Sequence, residues 1–386
     1  MSLPSLENPF LLCRDDIERG DILFHEPEEI LIANTLAELE DVFGKIEALH
    51  QAGKWIAGYF SYEAGYLFED KLQAVLKESR RLPLAVLGVF KSAKRKNKIE
   101  AEAPSDQPIL DRVKAEWSFE DYEKRFNRVH QHLREGDCYQ ANLTFPIKAH
   151  WLGNPAQIFA DLSARQPVKH SAFVNFGDTK IVSRSPELFF RVDKNGWIES
   201  LPMKGTARRG ASPASDAAQK RFLQNDPKNQ SENRMIVDLL RNDISRISEL
   251  GTLSVPKLFE IETYKTLHQM VSLVRAKLLP NLTIRDIFAA LFPCGSITGA
   301  PKLSAMKILH TLEAAPRDIY CGSIGWIAPN GQMQFNVAIR TLTLYPGGEA
   351  VFNVGGGIVY DSTAKEEYAE CLLKARFALG NTMISS

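Results

Sequence analysis

Hydrophobic and polar positions follow two rhythms along this chain, and the rhythm changes often enough to predict a mixed α and β fold. In 35–53, Leu36, Leu39, Val42, Phe43, Ile46 and Leu49 recur at helical spacing, and Gly53 ends the run. The segment 55–69 is aromatic and glycine-rich and starts as a strand, while PLAVLGVF (83–90) has the unbroken apolar character of a buried strand. The stretch from 117 opens on a serine cap, has an acidic first turn and helical periodicity, and stops at Gly136. CYQANLTFPIKA (138–149) predicts a strand, and 170–206 predicts several, parted by turn signals at Gly177–Asp178 and Asn195–Gly196. A helix is expected over 231–250, with Met235, Ile236, Leu239 and Leu240 on one face.

The C-terminal third is the most regular. GSIGWIA (322–328), a PNG turn and QMQFNVAIRTLTL (332–344) predict a hairpin, and PGG (346–348) turns the chain into AVFNV (350–354). Along 332–344, Met333, Phe335, Val337 and Ile339 alternate with Gln334, Asn336, Ala338 and Arg340. One face of a single strand would then be core, and the other would carry Arg340. A helix closes the chain over 364–379. The stretch 91–108 is the most polar and reads as a solvated hairpin or linker.

Composition narrows the function classes. The 386 residues, 44% of them hydrophobic, can bury a sizeable core, as one large domain or as two or three. Lys plus Arg and Asp plus Glu both number 47, so the net charge is zero. A nucleic-acid or anionic-membrane binder would carry a basic excess, so small-molecule chemistry is left open. The five cysteines show no CxxC spacing and no readable metal or disulfide framework. With no signal-like N-terminus and no membrane-length apolar run, a cytoplasmic protein is expected.

Several residues could carry chemistry. Lys204 stands in PMKGT (202–206), which reads as a tight loop; a lysine held there is either a nucleophile or a surface cation. Arg208, Arg209 and a nearby metal would favour its neutral, nucleophilic form. In the last helix Glu367 and Glu370 share a face, and Lys374 is placed to pair with Glu370. VGGG (354–357) precedes that helix, and its bare backbone suits an anion. Glu232 falls in the expected first turn of its helix, where capping competes with metal binding. Oxygen ligands such as Glu232, Glu367 and Glu370 would suit Mg²⁺. FPCGSITGAPK (292–302) lacks P-loop spacing but sets Ser296 and Thr298 at the edge of a site. Arg340 is a bidentate partner for a substrate carboxylate, or one half of a structural salt bridge.

SPELFFRV, PMKGT, SENRMIVDLLRND, FPCGSITGAPK, YCGSIGW, FNVAIRT, GGGIVYDS and EEYAECLLKA follow one another in this order. In this the chain resembles the chorismate-utilising enzymes over residues 117–380, and GYFSYEAGY (58–66) extends the likeness toward the N-terminus. The resemblance implies an α+β fold: two stacked antiparallel β-sheets flanked by helices, with the active-site cleft between the sheets. It implies a single large domain over 1–386, with an N-terminal portion of about 1–112 and a motif-bearing portion of about 113–380. It also implies Mg²⁺ on the substrate's ring carboxylate, bound directly by Glu232 and Glu370, with Glu367 behind these ligands or reaching the ion through water. Gly355, Gly356 and Gly357 would cradle that carboxylate, and Arg340 and Tyr320 would hold the enolpyruvyl carboxylate. Glu187 would be the general acid and His268, in TLHQMVS, would stand near the reacting ring. Gln140, Thr206, Ser296 and Thr298 would complete the substrate lining.

Two positions sort the branches of the family. Water-using members resemble one another in a lysine base where this chain has Gln140, and an amide cannot act as that base. Anthranilate synthases carry a small residue at Lys204, whereas aminodeoxychorismate synthases carry a lysine that bonds the ring transiently. The resemblance is therefore to the aminodeoxychorismate branch, acting on chorismate and ammonia on the way to p-aminobenzoate and folate. Anthranilate synthesis and a non-catalytic chorismate-binding subunit are the alternatives. No glutaminase nucleophile elbow is recognisable, so a glutamine amidotransferase partner is the expected source of ammonia. The chain departs from the family pattern at Cys294, Met203 and Arg234, none of which removes a catalytic group.

Overall fold

Capped amphipathic segments and long apolar runs become the helices and strands of a layered molecule. The computed structural model describes residues 2–105, 107–264, 267–380 and 384. Helix Leu36–Gln51 starts at a capping box made by Thr35 and Glu38 and buries Leu39, Val42, Phe43 and Ile46. Ser118 caps helix Phe119–Glu135, which ends on left-handed Gly136. Thr363 caps the final helix, Ala364–Leu379.

Helix Pro227–Ser245 differs from the pattern. It begins with Pro227 at its first position and is capped by Asp226, whose side chain accepts from the Asn229 N–H. Glu232 therefore lies beyond the first turn and is not needed as a cap. The helix also stops at Ser245, short of the expected end.

The strands form two ten-stranded sheets in which all pairings between strands are antiparallel among the described residues. The first sheet centres on Gln140–Trp151, Glu349–Ile358, Thr341–Leu344, Lys180–Ser185 and His170–Asn175. The second runs from Met203–Arg208 through Leu267–Lys277, Trp197–Leu201, Leu188–Val192, Met333–Asn336 and Ser323–Ile327 to Trp55–Phe60, Ala85–Phe90 and Glu29–Ala33. Leu11, Phe24, Tyr59 and Phe90 pack with Val174, Ile181, Ile324 and Trp326 between the sheets. One outer core joins the first sheet to helices 119–135, 155–165, 302–312 and 364–379. Another joins the second sheet to helices 36–51, 227–245 and 284–291. The result is a helix, sheet, sheet, helix sandwich.

N-terminal strands enter both sheets. Phe10–Asp15 pairs with His170–Asn175, and Trp55–Phe60 pairs with Ser323–Ile327. Within the polar stretch 91–108, Lys94–Lys96 forms a fully exposed edge strand on Gly20–His25.

The predicted strand 332–344 is two strands in different sheets. Met333–Asn336 belongs to the second sheet and Thr341–Leu344 to the first, so residues 337–340 carry the chain across. Alternation persists through the crossing because Val337 and Ala338 are both fully buried between layers. A second crossing runs beside it, from Lys180–Ser185 in the first sheet to Leu188–Val192 in the second. The Val337 N–H donates to Glu187 O at 3.1 Å, and the Arg184 N–H donates to Arg340 O at 2.9 Å.

Candidate active site between the sheets

The paired crossings hold Glu187 and Arg340. Glu187 is buried, and burial pushes its carboxyl up to about 7, against the pull of a Ser296 hydrogen bond and of the Lys204 and Arg340 charges. Ser296 Oγ donates to Glu187 Oε1 at 2.7 Å, while Oε2 accepts no hydrogen bond among the described residues. Arg340 takes a left-handed backbone, φ 51°, which costs a residue with a Cβ about 1–2 kcal/mol. Its guanidinium makes no salt bridge among the described residues, so the structural-pair reading of Arg340 fails. Burial holds its pKa below the usual arginine value, opposed by Glu187 and Tyr320. Tyr320 is buried, and burial raises its phenol well above the ordinary value, which keeps it a neutral donor.

Lys204 is not in a loop. It is the second residue of Met203–Arg208, at the end of the second sheet, where the ladder slips between Met203 and Thr206. That slip is a bulge, a device that re-aims a side chain. Gly205 occupies it with φ +88°, and a Cβ there would lie 2.8 Å from Asn229 Oδ1 on helix 227–245. Local sequence shows only the Pro and Gly that flank the bulge, which is why it reads as a turn.

The three glycines also lie inside a strand rather than after one. Gly355, Gly356 and Gly357 pair with Thr144, Leu143 and Asn142. Their missing side chains leave room for neighbours. A Cβ on Gly357 would lie 2.6 Å from Gln140 Nε2 and 3.3 Å from Lys204 Nζ, and one on Gly356 would lie 2.7 Å from Glu367 Oε2. Gln140 is buried, and both its amide atoms lack a partner among the described residues. Unsatisfied buried polar atoms are costly, so a ligand or water is expected against them.

Glu232, Glu367 and Glu370 share one electrostatic field. Glu367 is shifted up, first by burial and then by the like charges of Glu370 and Glu232, while the Ser362 hydroxyl at 2.7 Å opposes this. Glu370 is held below the usual carboxylate range by Lys374, with help from Lys204 and Lys228. Sequence pattern presents Lys374 only as a partner of Glu370; its ammonium, 2.8 Å from Glu370 Oε1, also donates to Gly355 O at 2.9 Å. That second contact depends on docking of the last helix on the glycine strand, which spacing within the helix does not contain.

The donor set fits Mg²⁺ in chemistry: oxygen ligands only, few in number, beside a glycine that keeps the space at Glu367 open. It is not closed by protein alone. Among the described residues, one group has three metal-type ligand atoms all within 4.8 Å of one another, and it is His132, Glu135 and Asp137 on the surface.

Other expected residues are engaged elsewhere. Ser296 is occupied by Glu187, the Thr298 hydroxyl donates to Cys294 O and Gly295 O, and exposed Thr206 donates to Gln269 Oε1 at 3.1 Å. His268 Nδ1 lies 3.0 Å from Thr263 Oγ1 and its Nε2 lies 3.0 Å from Asp216 Oδ1, which also pairs with Arg209. Thr266, in the same motif, lies outside the described residues. A cavity of about 410 Å³ between the sheets, lined by Arg14, His170, Trp326 and Asn336, includes none of these groups.

The sequence profile of the chorismate binding enzyme family matches residues 17–380. The chain belongs to that family. It is 42% identical over 257 residues to aminodeoxychorismate synthase component 1 of Klebsiella aerogenes, covering 67% of this chain and 56% of that protein. The chain thus spans little more than half of that relative's length. It is 36% identical over 336 residues to the Escherichia coli protein of the same name, covering 81% of this chain and 73% of the other. Among solved structures, anthranilate synthase component I of Streptococcus pneumoniae superposes with a TM-score of 0.76 at 27% identity, over 96% of this chain and 90% of that one. The stacked antiparallel sheets and flanking helices are thus the family's fold.

Proposed function

We propose that this chain aminates chorismate at ring position 4, as the synthase component of an aminodeoxychorismate synthase. The observation that carries the reading is the meeting of Lys204 and Gln140 over Gly357, where an amine and an amide stand in place of a water-activating base. The relatives named aminodeoxychorismate synthase support the same branch.

In this reading Arg340 and Tyr320 hold the enolpyruvyl carboxylate, and Glu232 and Glu370, with Glu367 behind them or reaching through water, would hold Mg²⁺. Once bound, that ion would neutralise the ring carboxylate. The Lys204 amine nitrogen forms a C–N bond at ring position 2. The ring double bond shifts, and the C–O bond at position 4 breaks as Glu187 protonates the departing hydroxyl to water. Ammonia then bonds position 4, the double bond shifts back, the lysine leaves as a free amine, and the proton shed by the new ammonium group restores Glu187. The balance is chorismate plus ammonia giving 4-amino-4-deoxychorismate plus water. A glutamine amidotransferase partner supplies the ammonia, in keeping with the component naming of the relatives.

The test is incubation with chorismate, ammonium and Mg²⁺, followed by a separate lyase. p-Aminobenzoate is expected; anthranilate or isochorismate instead would sink the reading. Lys204→Ala should lose most turnover while keeping its fold, and unchanged turnover would rule out the covalent step.

A further inference from the structure

The two oxygens of Glu187 have different surroundings. Oε1 accepts from Ser296 Oγ at 2.7 Å, and Ser296 Oγ in turn lies 3.3 Å from Cys294 Sγ. All three residues are buried: Cys294 4% exposed, Ser296 5% and Glu187 5%. We propose that Ser296, backed by the Cys294 thiol, is a positioning residue that reserves Oε1 as an acceptor and so places the Glu187 proton on Oε2. This rests on the reading of Glu187 as proton donor given above.

The hydrogen count leads to this arrangement. A serine hydroxyl has one hydrogen, and here it is directed at Oε1. A neutral carboxyl carries one proton, and the oxygen already accepting from Ser296 is the poorer place for it. Oε2, without a hydrogen-bond partner among the described residues, is the remaining position. Ser296 keeps lone pairs free to accept, and Cys294 is the neighbouring donor. Burial pushes the Cys294 thiol up to about 12, so it remains S–H and can donate.

The loop around Ser296 is fixed from several sides. Thr298 Oγ1 donates to Cys294 O at 3.1 Å and to Gly295 O at 3.2 Å. Arg317 Nη1 donates to Ile297 O at 2.9 Å. A Cβ on Gly295 would lie 2.5 Å from Leu239 Cδ2, so the loop sits hard against helix 227–245. The groups facing Glu187 are the Lys204 and Arg340 cations, which favour its ionised form, and the Cys294 and Cys321 thiols. None of them donates a hydrogen bond to either oxygen among the described residues, so Ser296 alone distinguishes Oε1 from Oε2.

The experiment titrates Glu187 in the full chain without substrate, by ¹³C NMR of glutamate-labelled protein, with Glu187→Gln identifying the signal. Ser296→Ala removes a donor to the ionised form, so the midpoint should rise by about one pH unit. Cys294→Ala should move it the same way by less, and Ser296→Thr, which keeps the hydroxyl, should restore it. The alkaline limb of kcat should move in parallel, with kcat falling and the KM for chorismate little changed. A midpoint unmoved in folded Ser296→Ala, or not restored in folded Ser296→Thr, overturns the proposal. A midpoint that moves and is restored supports it even if the wild-type chain makes no aminated product, in which case only the reading of the overall reaction fails.

Discussion

At the scale of single residues, Glu187 joins stability to chemistry. Its carboxyl is raised from 4.5 to about 7, chiefly by burial. Between those values the folded chain holds a proton that the unfolded chain has released. Stability therefore falls as pH rises through that window, by up to ~3 kcal/mol from this group. Glu187→Gln removes the cost of a buried charge, so its thermal midpoint relative to wild type should be higher at pH 8 than at pH 5. Activity should behave the opposite way. Glu187→Gln should lose about 10²–10⁴-fold in kcat at neutral pH, and the wild-type rate should decline above pH 7 as the acid ionises. A variant with full activity at pH 7 would remove Glu187 from the proton transfer. None of this was legible locally: SPEL shows an ordinary glutamate, and its burial follows from two crossings that meet far apart in sequence.

At the scale of elements, the glycine strand sets how close the other groups can come. Gly357→Ala puts a methyl within 2.6 Å of Gln140 Nε2 and 3.3 Å of Lys204 Nζ. It should cut turnover at least tenfold, by displacing side chains rather than backbone, with little change in thermal midpoint. Gly356→Ala meets Glu367 Oε2 at 2.7 Å instead. With Glu367 in the proposed Mg²⁺ site, its main effect should be a higher Mg²⁺ requirement, read as activity against Mg²⁺ concentration. If the two variants had the same Mg²⁺ dependence, the separation of the two faces would be wrong. Helices were the most legible elements, because caps such as Ser118 and Thr363 are local. Strand presence was legible too, but the break at 337–340 and the bulge at Lys204 were not. Both keep a period or a turn composition while their cause is a partner strand elsewhere.

At the scale of the whole molecule, a buried ion network ties the N-terminal segment to the site. Arg317 donates to both Glu313 oxygens, to Asn142 O at 2.7 Å and to Ile297 O at 2.9 Å, and its guanidinium lies 4.4 Å from the Tyr62 ring centroid. Its backbone N–H donates to Glu63 Oε1, and Glu313 Oε1 also accepts from the Thr144 N–H at 2.9 Å. The strand holding Gln140, the loop holding Ser296 and residues 62–63 thus meet on one cation. Arg317→Ala would leave Glu313 buried without its charge partner and two carbonyls without donors. That should cost about 3–5 kcal/mol in urea unfolding. Glu63 gives the contrast. Burial raises its carboxyl, and its Oε2 has no partner among the described residues. Glu63→Gln should therefore be no less stable than wild type at pH 8, where wild type has to bury more charge, and relatively weaker at pH 5. The two variants separate a cation that holds elements together from a carboxylate that merely accepts one hydrogen bond. An Arg317→Ala protein within ~0.5 kcal/mol of wild type would show that the sheets and outer cores alone fix the strand beneath the site.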